Sequence, residues 1–229
     1  DRVAIVYEGR PISYQWLRAT VERASARLAA AGVTKGNVVG LAIANRLAYV
    51  VTLLSAVRLG AVVTPLDPEH RDRRIARHGI DYVVLDSNDN WRSGKLPPSR
   101  FITDRTLLGP TTGGEHVETP PIAQGLEEEP WMISLSSGTT GVPKSNVHTH
   151  LNGILTATLT VPTNIDDQAR TLVFVGLGVY YGIARVMRQL YAGMTTVLTS
   201  GLSPNVFFTA VNRDRPTRVI MTTGAAAAV

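Results

Sequence analysis

The chain has 229 residues, 44% of them hydrophobic, and a formal net charge of +5. This apolar content suits one large or two small packed domains, and no apolar run reaches the ~18 residues of a membrane span. The absence of cysteine excludes thiol catalysis, disulfides and cysteine-based zinc sites. No secretory signal opens the chain, so we predict a cytoplasmic protein.

The basic charge does not predict a nucleic-acid partner. Most of the arginines are spread along the chain, apart from Arg71, Arg73, Arg74 and Arg77 on one short predicted helix. No aromatic residues alternate with them, as an interface for nucleic acid would favour. We interpret this helix as a solvated surface.

Strands alternate with helices through the first half of the chain. The predicted strands are 3–7, 10–13, 38–44, 62–66 and 82–85. The predicted helices are 17–28, capped by Ser13 and closed by Gly32, then 48–59, ended by Gly60, and a short helix to His78. This alternation predicts an α/β fold with a parallel sheet.

The second half begins with an irregular segment. Residues 87–130 are rich in Pro, Gly, Ser and Thr, with one strand predicted at 101–103. Further strands are predicted at 131–135, 172–175, 195–198 and 218–221, with helices at 148–159 and 182–191. The final alanine run is either the start of a helix or a truncation artefact.

We predict largely parallel sheets flanked by helices, with a first subdomain at 1–165 and the beginning of a second at 166–229.

The most informative segment is Ser136-Ser137-Gly138-Thr139-Thr140-Gly141-Val142-Pro143-Lys144, here called the signature. Glycines allow successive backbone amides to point toward one ligand, while hydroxyls add hydrogen-bond donors and a lysine adds positive charge. Because the signature also follows a predicted strand, it favours a phosphate site over an ordinary polar loop. The signature is not the P-loop of nucleotide triphosphatases, because Pro143 replaces that motif's second glycine.

The signature instead resembles the Ser-Gly-Thr-Thr-Gly-x-Pro-Lys-Gly motif of AMP-forming adenylating enzymes. That superfamily includes acyl- and aryl-CoA synthetases and the adenylation domains of nonribosomal peptide synthetases. The run Val147–Asn152 is similar to the segment that follows in the family, and residues 60–68 resemble its Gly-Ala-Val-x-x-Pro-Leu-Asn-Pro segment. The sequence departs from the motif at Ser145, where the family usually has glycine.

The resemblance implies a reaction in two halves. A carboxylic acid reacts with ATP to form acyl-AMP and pyrophosphate, and CoA then displaces AMP. Phosphoryl transfer of this kind depends on positioning and charge stabilisation. Residues Ser136–Gly141 would bind the ATP phosphates. Lys144 would neutralise the departing pyrophosphate or organise the loop, and Thr140 would serve catalysis beside it. Thr139, or else Thr140, would contact Mg²⁺.

The acid pocket implied by the resemblance is partly visible. Fatty acyl members carry a histidine where this chain has Val179, followed here by Tyr180, Tyr181 and Gly182. Benzoate-type CoA ligases look more similar, so we expect an aromatic or compact acid. The alternative, that the two tyrosines are core packing, stays open at this point.

The five histidines are not predicted to be metal ligands. His70, His78 and His116 have no partners at metal-ligand spacing. His148 and His150 are two residues apart and would point to different sides of a helix.

Three functions remain open at this point. We favour the N-terminal part of an AMP-forming acid–CoA ligase, itself inactive, because the family's metal-binding glutamate, ribose-binding aspartate and late lysine have no match here. The alternatives are an adenylation domain that loads a carrier protein and a non-catalytic nucleotide-binding module. The expected partners are a carboxylic acid, ATP, CoA and a missing C-terminal part, and the sequence leaves open a homodimer.

Overall fold

A computed structural model describes residues 1–69, 71–110, 118–136, 144–159 and 169–229. The strands, in chain order, are β1 Val3–Tyr7, β2 Arg10–Ser13, β3 Val38–Ala42, β4 Val62–Pro65, β5 Tyr82–Leu85, β6 Phe101–Thr103, β7 Pro130–Ser136, β8 Lys144–Thr149, β9 Arg170–Phe174, β10 Thr195–Leu198 and β11 Arg218–Met221. The helices are α1 Tyr14–Ala30, α2 Arg46–Arg58, α3 Arg71–His78, α4 Asp104–Leu108, α5 His150–Leu159, α6 Tyr180–Tyr191, α7 Pro204–Asp214 and α8 Thr223–Ala228. A 3-10 turn covers Pro98–Arg100.

Helix α1 shows how local sequence starts and ends an element. The hydroxyl of Ser13 accepts a hydrogen bond from the amide of Trp16 at 3.0 Å, which satisfies one of the free donors at the helix start. The spacing of Leu17, Val21, Ala24 and Leu28 predicts that they share one face of the helix; Leu17, Ala24 and Leu28 are buried, and Val21 is partly buried. The predicted cap and the predicted face are both confirmed.

One sheet has six strands in the order β6-β5-β3-β4-β7-β8. Every neighbouring pair is parallel except β7 with β8, which is antiparallel. Val83, Val84 and Leu85 of β5 are fully buried, because helices cover both faces of a parallel sheet and leave its strands continuously apolar.

The second sheet has five strands in the order β11-β9-β10-β1-β2, again parallel except for one antiparallel edge pair, β1 with β2. The predicted α/β class with largely parallel sheets is therefore confirmed. On one face Val6, Leu172, Phe174 and Val197 form an apolar cluster. Phe207 of α7 packs edge-to-face on Phe174, with ring centroids 5.2 Å apart.

The chain forms two compact units. One contains residues 1–17 and 152–229, and the other contains residues 18–151. Residues 1–17 join the later part of the chain because β1 pairs with β10, with Ile5 opposite Thr196. The predicted boundary between 165 and 166 falls in a segment outside the described residues, and it stays a prediction.

The turn between β1 and β2 is held by α7 and by Ser200, which precedes that helix. Glu8 and Gly9 both have positive φ, 49° and 78°, as a two-residue hairpin turn requires. The Glu8 carboxylate accepts hydrogen bonds from the Ser200 amide at 2.6 Å and from Arg213 at 3.1 Å. Partial burial acts to raise the pKa of Glu8, but these two donors together lower it.

Most predicted elements are present, with ends that lie within three residues of the predicted ones. Sequence reasoning missed β8, α4 and α7, and it began α5 two residues early. The alanine run lies in α8, where Thr222 accepts a hydrogen bond from Ala225 at 3.2 Å as the N-cap. Across the described ranges, no helix combines the length and hydropathy needed to cross a membrane.

Candidate active site

The signature connects β7 to β8. Ser136 ends β7, Lys144 begins β8, and the two residues are register partners. Opposite residues of an antiparallel pair lie about 5 Å apart between Cα atoms, so the signature starts and ends at neighbouring positions. Residues 137–143 lie outside the described part, so the phosphate contacts expected of Ser137, Gly138, Thr139, Thr140 and Gly141, and the Mg²⁺ contact of Thr139, stay predictions.

The signature follows the carboxyl end of a parallel strand. Strand β7 runs parallel to β4, with Met132 opposite Val63. In open α/β sheets, ligands bind outside the carboxyl ends of the strands. The side chain of Lys144 is exposed at this edge, so a lysine and the last residue of β7 flank the segment expected to bind phosphate.

Ser145, the departure from the family motif, fits its position in β8. It lies opposite Leu135 in an extended ladder and is not among the residues with positive φ. The position therefore does not require the backbone freedom of glycine. Its Oγ is buried and has no hydrogen-bond partner among the described residues.

His148 is part of the hairpin rather than of the following helix. The prediction that His148 and His150 share a helix is wrong, because β8 extends to Thr149 and α5 begins at His150. The Nε2 atom of His148 lies 2.7 Å from Oγ of Ser134, which is buried in β7. Ser134 is opposite Asn146, so this is a diagonal contact between two strands.

This hydrogen bond stabilises an edge strand. Among the described strands, β8 pairs only with β7, and the ladder is irregular between Pro130 and Met132. A slip of one residue would turn Lys144 to the other face of the sheet. The contact between Ser134 and His148 fixes the register of β8 close to that irregularity. From the sequence, only an alternation of inward and outward side chains after the signature could have indicated that β8 exists.

His150 begins α5 beside two acidic residues. Its amide donates to the Glu129 carbonyl at 3.0 Å, and the Leu151 amide donates to the Glu127 carbonyl at 3.0 Å. Burial lowers the pKa of His150, and the charges of Glu129 and Glu127 oppose that shift. Its Nε2 is buried and has no hydrogen-bond partner among the described residues.

Metal ligands are not gathered in the described part of the chain. Over that part, no group of three or more His, Asp or Glu side chains is placed to hold a metal ion. His70 and His116 lie outside the described residues. His78 ends α3, where burial, followed by Arg77 and Arg74, lowers its pKa.

The acid-pocket residues begin α6, after the carboxyl end of β9. Tyr180 is half-buried, and its hydroxyl donates to Oδ1 of Asn152 at 3.2 Å and lies 3.3 Å from Oγ1 of Thr156. Asn152 and Thr156 are one turn apart on α5, on the same face. Asn152 ends the run Val147–Asn152 that resembles the family segment, and nothing in that run indicates Tyr180 as its partner.

Val179 and Tyr181 flank Tyr180 and are exposed, at 45% and 42%. The guanidinium of Arg185 lies 4.6 Å from the centroid of the Tyr181 ring, a cation–π contact. Tyr181 is therefore not a core residue, and its ring is available at the surface of its unit.

Gly182 allows α6 to approach the end of β9 closely. A Cβ at this position would lie 2.2 Å from the carbonyl oxygen of Gly176 and 3.4 Å from that of Val175. The first distance is far below van der Waals contact. Glycine is thus required sterically in this turn, although its backbone is helical.

The arginines of α3 are partly used in ion pairs. Arg71 pairs with Asp89 at 2.7 Å, and Arg74 pairs with Asp67. Arg73 is exposed. Two of the four arginines are therefore paired with carboxylates, so the four do not form a continuous basic surface.

Comparisons with known proteins agree with the resemblance. The sequence model of the family described as AMP-binding enzyme matches residues 1–228. A linear gramicidin synthase of Brevibacillus parabrevis is 28% identical over 208 residues, which are 86% of this chain and 3% of that protein. An acetyl-coenzyme A synthetase of Aeromonas hydrophila is 27% identical over 255 residues, 93% of this chain and 39% of that protein.

A similar fold is seen in O-succinylbenzoate coenzyme A synthetase (MenE) from Bacillus subtilis in complex with AMP. The TM-score is 0.83 at 22% identity, over 99% of this chain and 60% of that one. This similarity supports the fold. The chain spans less than two thirds of the length of each of these proteins.

Proposed function

This chain belongs to the AMP-binding enzyme family, and we propose that it contributes the phosphate-binding part of an enzyme that activates a carboxylic acid as acyl-AMP. The observation that carries the proposal is the hairpin that pairs Ser136 with Lys144. It places both ends of the signature at the carboxyl edge of a parallel sheet, where phosphate ligands bind in such folds.

In this proposal the chain acts by positioning charge. Gly138, Thr139, Thr140 and Gly141 donate to the phosphates of ATP, with Ser136 and Ser137 before them. Lys144 neutralises the departing pyrophosphate, and Thr139 contacts Mg²⁺. Such stabilisation lowers the barrier because charge develops on the leaving group.

Two acceptors of the acyl group remain in the proposal. The acetyl-coenzyme A synthetase relative favours CoA. In the gramicidin synthase relative, the matched residues make up only 3% of the protein. Such a share is expected of one domain within a very long protein, and this favours an adenylation domain that loads a carrier protein. We propose CoA first, with carrier-protein loading as the second candidate.

The acid bound is proposed to be aromatic or compact. Val179 replaces a larger polar ring, and the exposed ring of Tyr181 offers a stacking surface at the carboxyl edge of its sheet. Stacking contributes about 0.5–1.5 kcal/mol, up to roughly tenfold in specificity. Comparing kcat/KM for benzoate-like acids with that for C8–C16 fatty acids tests this point.

The central experiment separates the two half-reactions in the full protein. Lys144→Ala and Thr140→Val should slow adenylate formation more than thioester formation from supplied acyl-AMP, because pyrophosphate is absent from the second step. Lys95→Ala, at another exposed lysine, is the matched control. Equal losses in both steps would show that the signature is a folding element.

The isolated 229-residue chain is proposed to be inactive, because the relatives are longer. It should show no acid-dependent ATP–pyrophosphate exchange above a Lys144→Ala control. Exchange clearly above that control would contradict this part of the proposal. Cytoplasmic location and a homodimer stay predictions.

A further inference from the structure

Strand β4 ends beside the strand that leads into the signature. It lies between β3 and β7 in the six-stranded sheet and is parallel to both. Val63 of β4 is opposite Met132 of β7. Counting on in this register, Ser136 at the start of the signature is level with Asp67, two residues after β4 ends. The segment 65–67 is therefore the neighbour of the signature on the β4 side.

Arg74 of α3 holds this segment at two points. Its Nη1 donates a hydrogen bond to the carbonyl oxygen of Pro65, the last residue of β4, and its Nη2 pairs with Oδ2 of Asp67. The Arg74 side chain is only 14% exposed. Burial lowers the pKa of Arg74, and the charge of Asp67 opposes that shift. One planar guanidinium thus connects the end of β4 to the carboxylate that follows it.

The same helix carries a second buried arginine with a different partner. Arg71 is three residues before Arg74, so the two share a face of α3. Its side chain is 11% exposed and pairs with Asp89 at 2.7 Å, and its guanidinium lies 5.0 Å from the ring centroid of Trp91. Asp89 and Trp91 follow β5, which lies on the other side of β3 from β4. Of the two arginines, only Arg74 therefore holds a segment that adjoins β7.

We propose that Arg74 is a positioning residue for ATP. It fixes the segment 65–67, and with it the neighbour of the signature. Without this support the free protein would populate arrangements of the sheet edge that bind ATP less well, and the apparent affinity falls with the fraction that binds. The inference rests on the proposed function, because it takes the signature to be the phosphate site. It adds a residue outside the signature, on a helix that the sequence predicts to be a solvated surface.

The test is titration calorimetry of the full protein with ATP and Mg²⁺ in the absence of acid, together with urea unfolding. Arg74→Gln should raise the Kd for ATP about fivefold or more, the effect of one lost hydrogen bond. The Kd for AMP should change by less than about twofold, because AMP lacks two of the phosphates that the signature is proposed to bind.

Asp67→Asn tests the same contact from the other side. It keeps the shape of the side chain and removes its charge, so it should raise the Kd for ATP in the same direction, and it carries the test if Arg74→Gln does not fold. The double variant should lose little more affinity than Arg74→Gln alone, since both changes break one ion pair.

Arg71→Gln is the matched control. It removes the same charge and breaks an ion pair of similar burial on the same face of α3. Its urea midpoint should fall about as far as that of Arg74→Gln, while its Kd for ATP stays at the wild-type value. Arg73→Gln removes the same charge at an exposed position and should change neither quantity.

Several results would overturn the inference. One is a wild-type Kd for ATP in Arg74→Gln or, if that variant does not fold, in Asp67→Asn. Another is an equal rise in Arg71→Gln, which would indicate a general effect of stability or charge. An equal rise for AMP would show that Arg74 does not act through the signature. If the wild type binds no ATP, the proposed function itself fails, whereas binding that is lost in Lys144→Ala and kept in Arg74→Gln refutes only the role of Arg74.

Discussion

Gly182→Ala tests whether close backbone approach shapes the start of α6. Helix propensity alone predicts that alanine stabilises this position by about 1 kcal/mol. The structure predicts the opposite sign, because the added Cβ would lie 2.2 Å from the Gly176 carbonyl oxygen. Relief of that contact needs a shift of about 1 Å to reach ordinary van der Waals distance.

The obstacle is backbone rather than the end of a flexible side chain. Overpacking costs about 1–3 kcal/mol, and a backbone obstacle at 2.2 Å puts this case in the upper part of that range, at about 2–3 kcal/mol. After the gain of about 1 kcal/mol in helix propensity, we expect Gly182→Ala to lower the free energy of unfolding by about 1–2 kcal/mol net. With a urea m-value of about 2 kcal/mol/M, the midpoint should fall by about 0.5–1 M at unchanged m. The KM for the acid should rise more than the KM for ATP, because Val179 and Tyr181 lie on the same turn.

The matched control is Gly178→Ala. A Cβ at Gly178 meets nothing within 4 Å, and its φ is not left-handed, so the change should stay within about 0.5 kcal/mol. A Gly182→Ala variant with the wild-type urea midpoint would refute the steric reasoning. So would a Gly178→Ala variant that loses as much stability.

Three further predictions concern hydrogen bonds. His148→Leu and Ser134→Ala should each destabilise the protein, with a coupling of about 1 kcal/mol in a double-mutant cycle. Additive losses would mean that the 2.7 Å contact between His148 Nε2 and Ser134 Oγ does not form in solution. Because the pKa of Glu8 is lowered on folding, its stabilising effect is full above about pH 4.5 and is lost as pH falls through the folded pKa. Urea midpoints from pH 3 to 7 should show this loss in wild type and not in Glu8→Gln, and parallel profiles would contradict it. Tyr180→Phe should cost about 0.5–1.5 kcal/mol through its bond to Asn152, and an unchanged urea midpoint would show that this bond contributes nothing.

Local sequence was sufficient to determine the class of fold and most elements. The spacing of Leu17, Ala24 and Leu28 on α1, the Glu8-Gly9 turn and the apolar run of β5 each depend on residues close in the chain. The signature was recognisable for the same reason, since its residues are contiguous. These features required no knowledge of distant partners.

Tertiary structure alone decided which distant segments meet. Nothing in residues 3–7 indicates that β1 pairs with β10 rather than with a strand of the first half, because alternation specifies a strand and not its partner. The contacts of Ser134 with His148 and of Tyr180 with Asn152 depend on strand register and helix packing. Arg218 likewise lies opposite Thr171 only because the parallel strands assemble in the order β11-β9-β10.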